Sequence, residues 1–162
     1  MVQELMTRQV FEETLKRVLI WGMLMNLGIP TGLLLVAYFL TGTGNVLHVA
    51  PEALNVTFIL FLLVSLADLG VAAWMRYFLL TPSRLSTLAE VRKSPLSGVL
   101  LSTTITIYAL CLVSAVLGFA YFVLGGQVEK GLLLLVFNLL GYQFLRPRPE
   151  LVKKLLGFTG GA

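Results

Sequence analysis

Charge is scarce in this chain. Of its 162 residues only 12% are Asp, Glu, Lys or Arg, whereas 57% are apolar. A soluble domain carries roughly a quarter charged residues to wet its surface, so the count argues against a globular cytosolic enzyme and against a disordered chain. A single cysteine, Cys111, excludes a disulfide framework and any Cys-based zinc or iron–sulfur site within one chain. The lone histidine, His48, has only Glu52 near it in sequence, two candidate ligands where a metal needs three or four. There is no glycine-rich phosphate loop, and no cluster of His, Asp, Ser or Cys at one membrane face such as a lipid-modifying enzyme would need. The expectation is a non-enzymatic protein with no cofactor and no metal.

What the chain has is long apolar runs. No charge falls between Arg17 and Glu52, and the apolar part, Val18 to Gly42, has 25 residues, more than the roughly 20 that a helix needs to cross the hydrocarbon layer. A second span runs from Ala53 to Met75 with Asp68 as its only charge and Trp74 and Tyr77 as an aromatic belt. A third runs from about Leu96 to Leu124 without charge, and a fourth, Gly131 to Leu145, has only 15 residues. It crosses if the bilayer thins or if Glu129 and Lys130 snorkel, with Tyr142 at its inner rim.

Three Lys and Arg residues precede the first span, four lie between the second and third, and four follow the last, which leaves only Lys130 on the other side. Eleven of twelve on one side predicts that both termini and the central loop are cytoplasmic, in the inner or plasma membrane. The formal charge of +4 is thereby assigned to topology and anionic lipid, and no nucleic-acid partner is required. The first run is too long for a signal peptide and is expected to remain as an anchor. Within residues 1–17, Val2, Leu5, Met6, Val10, Phe11 and Leu15 form one apolar stripe on a helix, read as a cytoplasmic amphipathic helix.

An internal duplication is visible. AYF at Ala37–Phe39 precedes Gly42 and AYF at Ala120–Phe122 precedes Gly125, both at an offset of 83. The second helix of each half exits into a proline, Pro82 or Pro147, which stops one helix and opens the next. Amphipathic segments follow, with Leu85, Leu88 and Val91 in one and Leu151, Val152, Leu155 and Leu156 in the other. The expected fold is therefore all-α and polytopic, with four transmembrane helices as two tandem hairpins plus interfacial amphipathic helices. Its segments are the helix 1–17, a first hairpin 18–80, a cytoplasmic linker 81–95, a second hairpin 96–146 and an amphipathic tail 147–162.

ALCLVSAVLG, Ala109 to Gly118, resembles the ion-binding helix of the c subunits that form rotary-ATPase rotor rings. It is also similar to small bacterial four-helix membrane proteins that share this pattern, the AYFL ending of the first span and the proline after the fourth. The resemblance implies two-helix hairpins, which allow a ring or a compact monomer. Leu112 stands where the carboxylate of that pattern belongs, so ion carriage at that position is not implied.

Asp68 is the only ionisable group well inside a span, and an intramembrane acid is by default a functional hypothesis. It lies about four residues to the cytoplasmic side of its span's midpoint, roughly 6 Å at about 1.5 Å per residue. Asn26, Tyr108, Tyr142 and Gln143 fall at similar depth in the other spans, which suggests a polar layer. One reading is a structural clasp in which neutral Asp68 bonds Asn26 or Gln143. Another is a proton or cation site with Asn26 or Tyr108 as partner, and a third is a contact to another subunit. Asn138 has the same readings, packing foremost.

Gly28 and Gly32 form a GxxxG around Pro30, which should kink the first span, and Ser114 and Gly118 form a second small pair. Both suit close helix approach, within the chain or to another copy. The function expected first is a structural or accessory subunit acting through helix packing, with the bilayer and a homo-oligomer or larger membrane complex as partners. The alternative is a c-subunit-like proton or cation carrier using Asp68.

Overall fold

A computed structural model describes residues 8–146 except Asn45, Val46 and His48. The described residues are all-α: α1 (Arg8–Met23), a π turn (Leu24–Gly28), α2 (Ile29–Thr43), α3 (Pro51–Leu79), α4 (Pro82–Arg92), α5 (Leu96–Val123) and α6 (Val128–Leu145). Four stretches are long and apolar enough to cross a membrane: Glu13–Leu40, Pro51–Leu79, Leu96–Val123 and Val128–Leu145. The fourth gains three residues over the apolar run because Glu129 sits in the first helical turn, where a carboxylate favours the exposed backbone N–H groups. Its 18 residues rise about 27 Å at 1.5 Å each, close to the hydrocarbon thickness.

α1, the π turn and α2 follow one another with no intervening loop, so from Arg8 onward the N-terminal segment continues into the first span, whose α-helical pattern is broken only at the π turn. The stripe residues Val2, Leu5 and Met6, the side chains of Val10 and Phe11, and the tail 147–162 lie outside what is described.

α5 is the centre of the bundle. Its buried positions recur every three or four residues, from Val99 and Leu100 through Ile107, Tyr108, Cys111, Ser114, Ala115 and Gly118 to Tyr121. That repeat gives a broad face which packs against α1, α2, α3, α4 and α6. α6 lies along α5 and also touches α3, whereas the first span and α3 share no extended contact and lean on α5 instead.

Backbone punctuation makes the connections. At the end of α5, Gly125 takes φ +89° while its N–H and that of Gly126 donate to the carbonyls of Phe122 and Tyr121, a glycine-dependent helix stop. α4 ends in the same bond pattern with Lys93 in the left-handed region at φ 48°. Pro82 and the following residues start α4, whose Leu85 belongs to a buried cluster that also holds Leu80, Val99 and Leu145, with Leu88 and Ala89 packed against that cluster. Val91 is 76% exposed, so the packed face of α4 is narrower than the Leu85–Leu88–Val91 stripe.

Candidate polar layer inside the bundle

Pro30 organises the site. A regular helix would bond the Asn26 carbonyl to the N–H four residues on, and proline has none. The chain answers with a π turn ending in a bond from Ile29 N–H to Leu24 O, a device that relieves proline crowding by widening one turn. The Asn26 carbonyl then accepts a hydrogen bond from Asn138 Nδ2 of α6 at 3.2 Å. Asn26 Nδ2 in turn donates to Gly22 O at 3.3 Å. Both asparagines are completely buried. Lipid offers no hydrogen-bonding groups, so a backbone carbonyl freed at this depth needs a partner from the protein.

One turn from the asparagines toward the α4 end lies a tyrosine pair. Tyr108 of α5 and Tyr142 of α6 meet edge to face with ring centroids 5.4 Å apart, and Val18 packs against both. A Cβ on Gly22 would come within 2.9 Å of each ring, so the glycine is what lets α1 close on the pair. On α3, Ser65 is also fully buried. Thr57, Thr104 and Ser114 turn their hydroxyls back to carbonyls of their own helices, but Ser65 Oγ makes no hydrogen bond among the described residues.

Asp68 stands at the edge of this layer. It is half-buried on α3 and forms no hydrogen bond or ion pair among the described residues. The clasp expected from sequence is not formed: Asn26 bonds Gly22 and Asn138, and Gln143 is exposed on the outer side of α6. Helical phase explains the difference, because Gln143 follows the buried Tyr142 by one residue and a step of one rotates a side chain about 100°. Tyr108 is in the layer, with Tyr142 rather than Asp68 as its neighbour. Leu112, at the position of the c-subunit carboxylate, is a half-buried apolar residue of α5.

The small pairs part company. Ser114 and Gly118 are buried, and a Cβ on Gly118 would lie 2.6 Å from the Gly131 carbonyl oxygen, so α5 and α6 cross there nearly backbone to backbone. Gly28 and Gly32 pack against no other helix among the described residues. Both are exposed, and a Cβ on Gly32 would meet nothing within 4 Å. The turn that carries Asn26 inward leaves these glycines on the opposite side of the rod.

Sequence reasoning underrated Asn138 and passed over Ser65 and Gly22. For Asn138 a signal existed: a proline four residues after Asn26 announces a carbonyl in need of a donor, and Asn138 is the amide near the middle of the fourth span. Nothing comparable marks Ser65 or Gly22, whose roles depend on which helices become neighbours.

Elsewhere, Lys130 Nζ donates to Asn55 Oδ1 at 2.8 Å and lies over the Phe58 ring, tying α6 to α3 at the end away from α4. At the α4 end the Arg76 guanidinium lies 5.7 Å from the Tyr77 ring centroid. No group of three His, Cys, Asp or Glu that could hold a metal occurs among the described residues, and Cys111 is a buried free thiol. No protein-family model, curated protein or solved structure was found to match this chain.

Proposed function

We propose that this protein is a non-enzymatic integral membrane subunit or accessory protein that acts through helix packing, with copies of itself or within a larger membrane complex. One observation carries the reading. The Gly28–Gly32 surface of the first span is open, and the apolar side chains around it, including Leu27, Leu35 and Val36, are exposed on a rod whose other side is bound to α5 and α6. Small residues let helix backbones approach closely in lipid, where packing drives association. Native mass spectrometry in detergent tests it: one dominant stoichiometry above two, or retention of another membrane protein, is expected. A clean monomer without partners overturns it.

We further read the chain as two tandem hairpins with interfacial helices, both termini on the cytoplasmic side of the plasma membrane. The repeated AYF and proline exits support the hairpins. Arg76, Arg84, Arg92, Lys93 and Arg146, all at the α4 end, support the orientation.

A second reading, proton or cation carriage by Asp68, is favoured by one feature: a half-buried carboxylate on a helix long and apolar enough to span a membrane, with no hydrogen-bonded partner among the described residues. Dicyclohexylcarbodiimide should then label Asp68, and Asp68→Asn should abolish proton flux in liposomes. An unlabelled, flux-silent protein removes this reading.

A further inference from the structure

Among the described residues, three oxygens inside the bundle have no hydrogen-bond partner: Asn26 Oδ1, Asn138 Oδ1 and Ser65 Oγ, each on a fully buried residue. Turning the carboxamides over does not help. Each amide nitrogen already faces a carbonyl, Gly22 O for Asn26 and Asn26 O for Asn138, and a flip would set oxygen against oxygen. The Asn138–Asn26 bond makes the two residues neighbours, with Asn138 on the Asn26 backbone carbonyl and the Asn26 carboxamide turned to Gly22 O. Helix register brings Ser65 to the same level: a Cβ on Gly141 would meet Leu69 of α3 and Cys111 of α5, and Ser65 and Asn138 stand four and three residues from Leu69 and Gly141, on the side away from α4.

We propose that these three side chains hold one internal water molecule, a polar joint where the first span breaks at its π turn. The chemistry balances. A water has two O–H donors, one for each carboxamide oxygen, and a lone pair for the Ser65 hydroxyl proton. Three hydrogen bonds to buried polar groups is the usual complement of an internal water. Lipid supplies no alternative donor, so the need falls on a guest inside the bundle. A metal cation suits the site less, because its three oxygens are neutral and Asp68 lies off the layer toward the α4 end, leaving a buried charge without compensation. The site is independent of whether the chain assembles or carries ions.

Asparagine occurs at four positions, 26, 45, 55 and 138, so selective isotope labelling of asparagine side-chain amides isolates the relevant signals in the full chain in lipid nanodiscs. Magnetisation transfer from water should reach the Nδ2 hydrogens of Asn26 and Asn138 despite their complete burial. In Ser65→Ala that transfer should fall at least two-fold. No transfer in the wild type, or transfer unchanged in Ser65→Ala, overturns the proposal. A sodium titration against choline at constant ionic strength forms the second arm. An unchanged unfolding midpoint is expected, and a rise specific to sodium overturns water in favour of a cation.

Discussion

A Cβ built on Gly118 would lie 2.6 Å from the Gly131 carbonyl oxygen, whereas one built on Gly32 has open space around it. The same residue type in the same kind of span therefore does two different things. At Gly118 the missing side chain permits a close crossing that no flexible group can yield, since the obstacle is backbone. Gly118→Ala should destabilise the folded protein by about 1–2 kcal/mol, the overpacking cost exceeding the gain in helix propensity. Gly32→Ala should leave the monomer unchanged or raise its stability by up to about 1 kcal/mol through propensity alone. Unfolding midpoints in detergent distinguish the two, and a destabilised Gly32→Ala monomer would mean that this face packs within the chain. In sequence the two glycines are alike, each in a small pair at four-residue spacing. What separates them is helix phase relative to a neighbour.

At the scale of elements, the break in the first span and the burial of Asn138 are one event. Proline removes a donor, a carbonyl is left over, and an amide from α6 takes it. Asn138→Leu should therefore cost about 1–2 kcal/mol, combining a lost membrane hydrogen bond with the orphaning of a buried carbonyl. In a Pro30→Ala background the backbone N–H returns and Asn138→Leu should cost less than half as much. A double-mutant cycle on unfolding midpoints reads this coupling, and equal costs in both backgrounds would show that Pro30 does not create the need. Pro30 and Asn26 are visible in the sequence as a spacing of four. Their partner is separated from Asn26 by 112 positions, and only the packing of α6 beside the π turn pairs them.

On the scale of the whole molecule, the basic residues of the described helices, Lys130 excepted, collect at the end capped by α4, where Leu85 joins the apolar cluster at the ends of α3, α5 and α6. If that end is cytoplasmic, cysteine accessibility follows. In a Cys111→Ser background, which removes the buried thiol, Gln127→Cys should react with a membrane-impermeant maleimide on intact cells. Val91→Cys, at a position 76% exposed, should react only after permeabilisation. The reverse pattern would invert the assigned orientation.

The number of spans and their limits, to within a few residues, are decided by local composition. A charge-free run long enough for the hydrocarbon layer has to become a helix that satisfies its own backbone, whatever its neighbours do. Asp68 shows where that reasoning stops. Its depth is legible by counting, and depth suggested Asn26 and Gln143 as partners, yet Gln143 faces outward and Asn26 is engaged elsewhere. Depth along a helix is a property of sequence, because each residue adds a constant rise. The direction a side chain faces gains meaning only when another helix lies against it. The tertiary structure alone therefore decided that α5 is the centre, that Gly28 and Gly32 look outward, and that the polar core is built from Asn26, Ser65 and Asn138 with Asp68 at its edge.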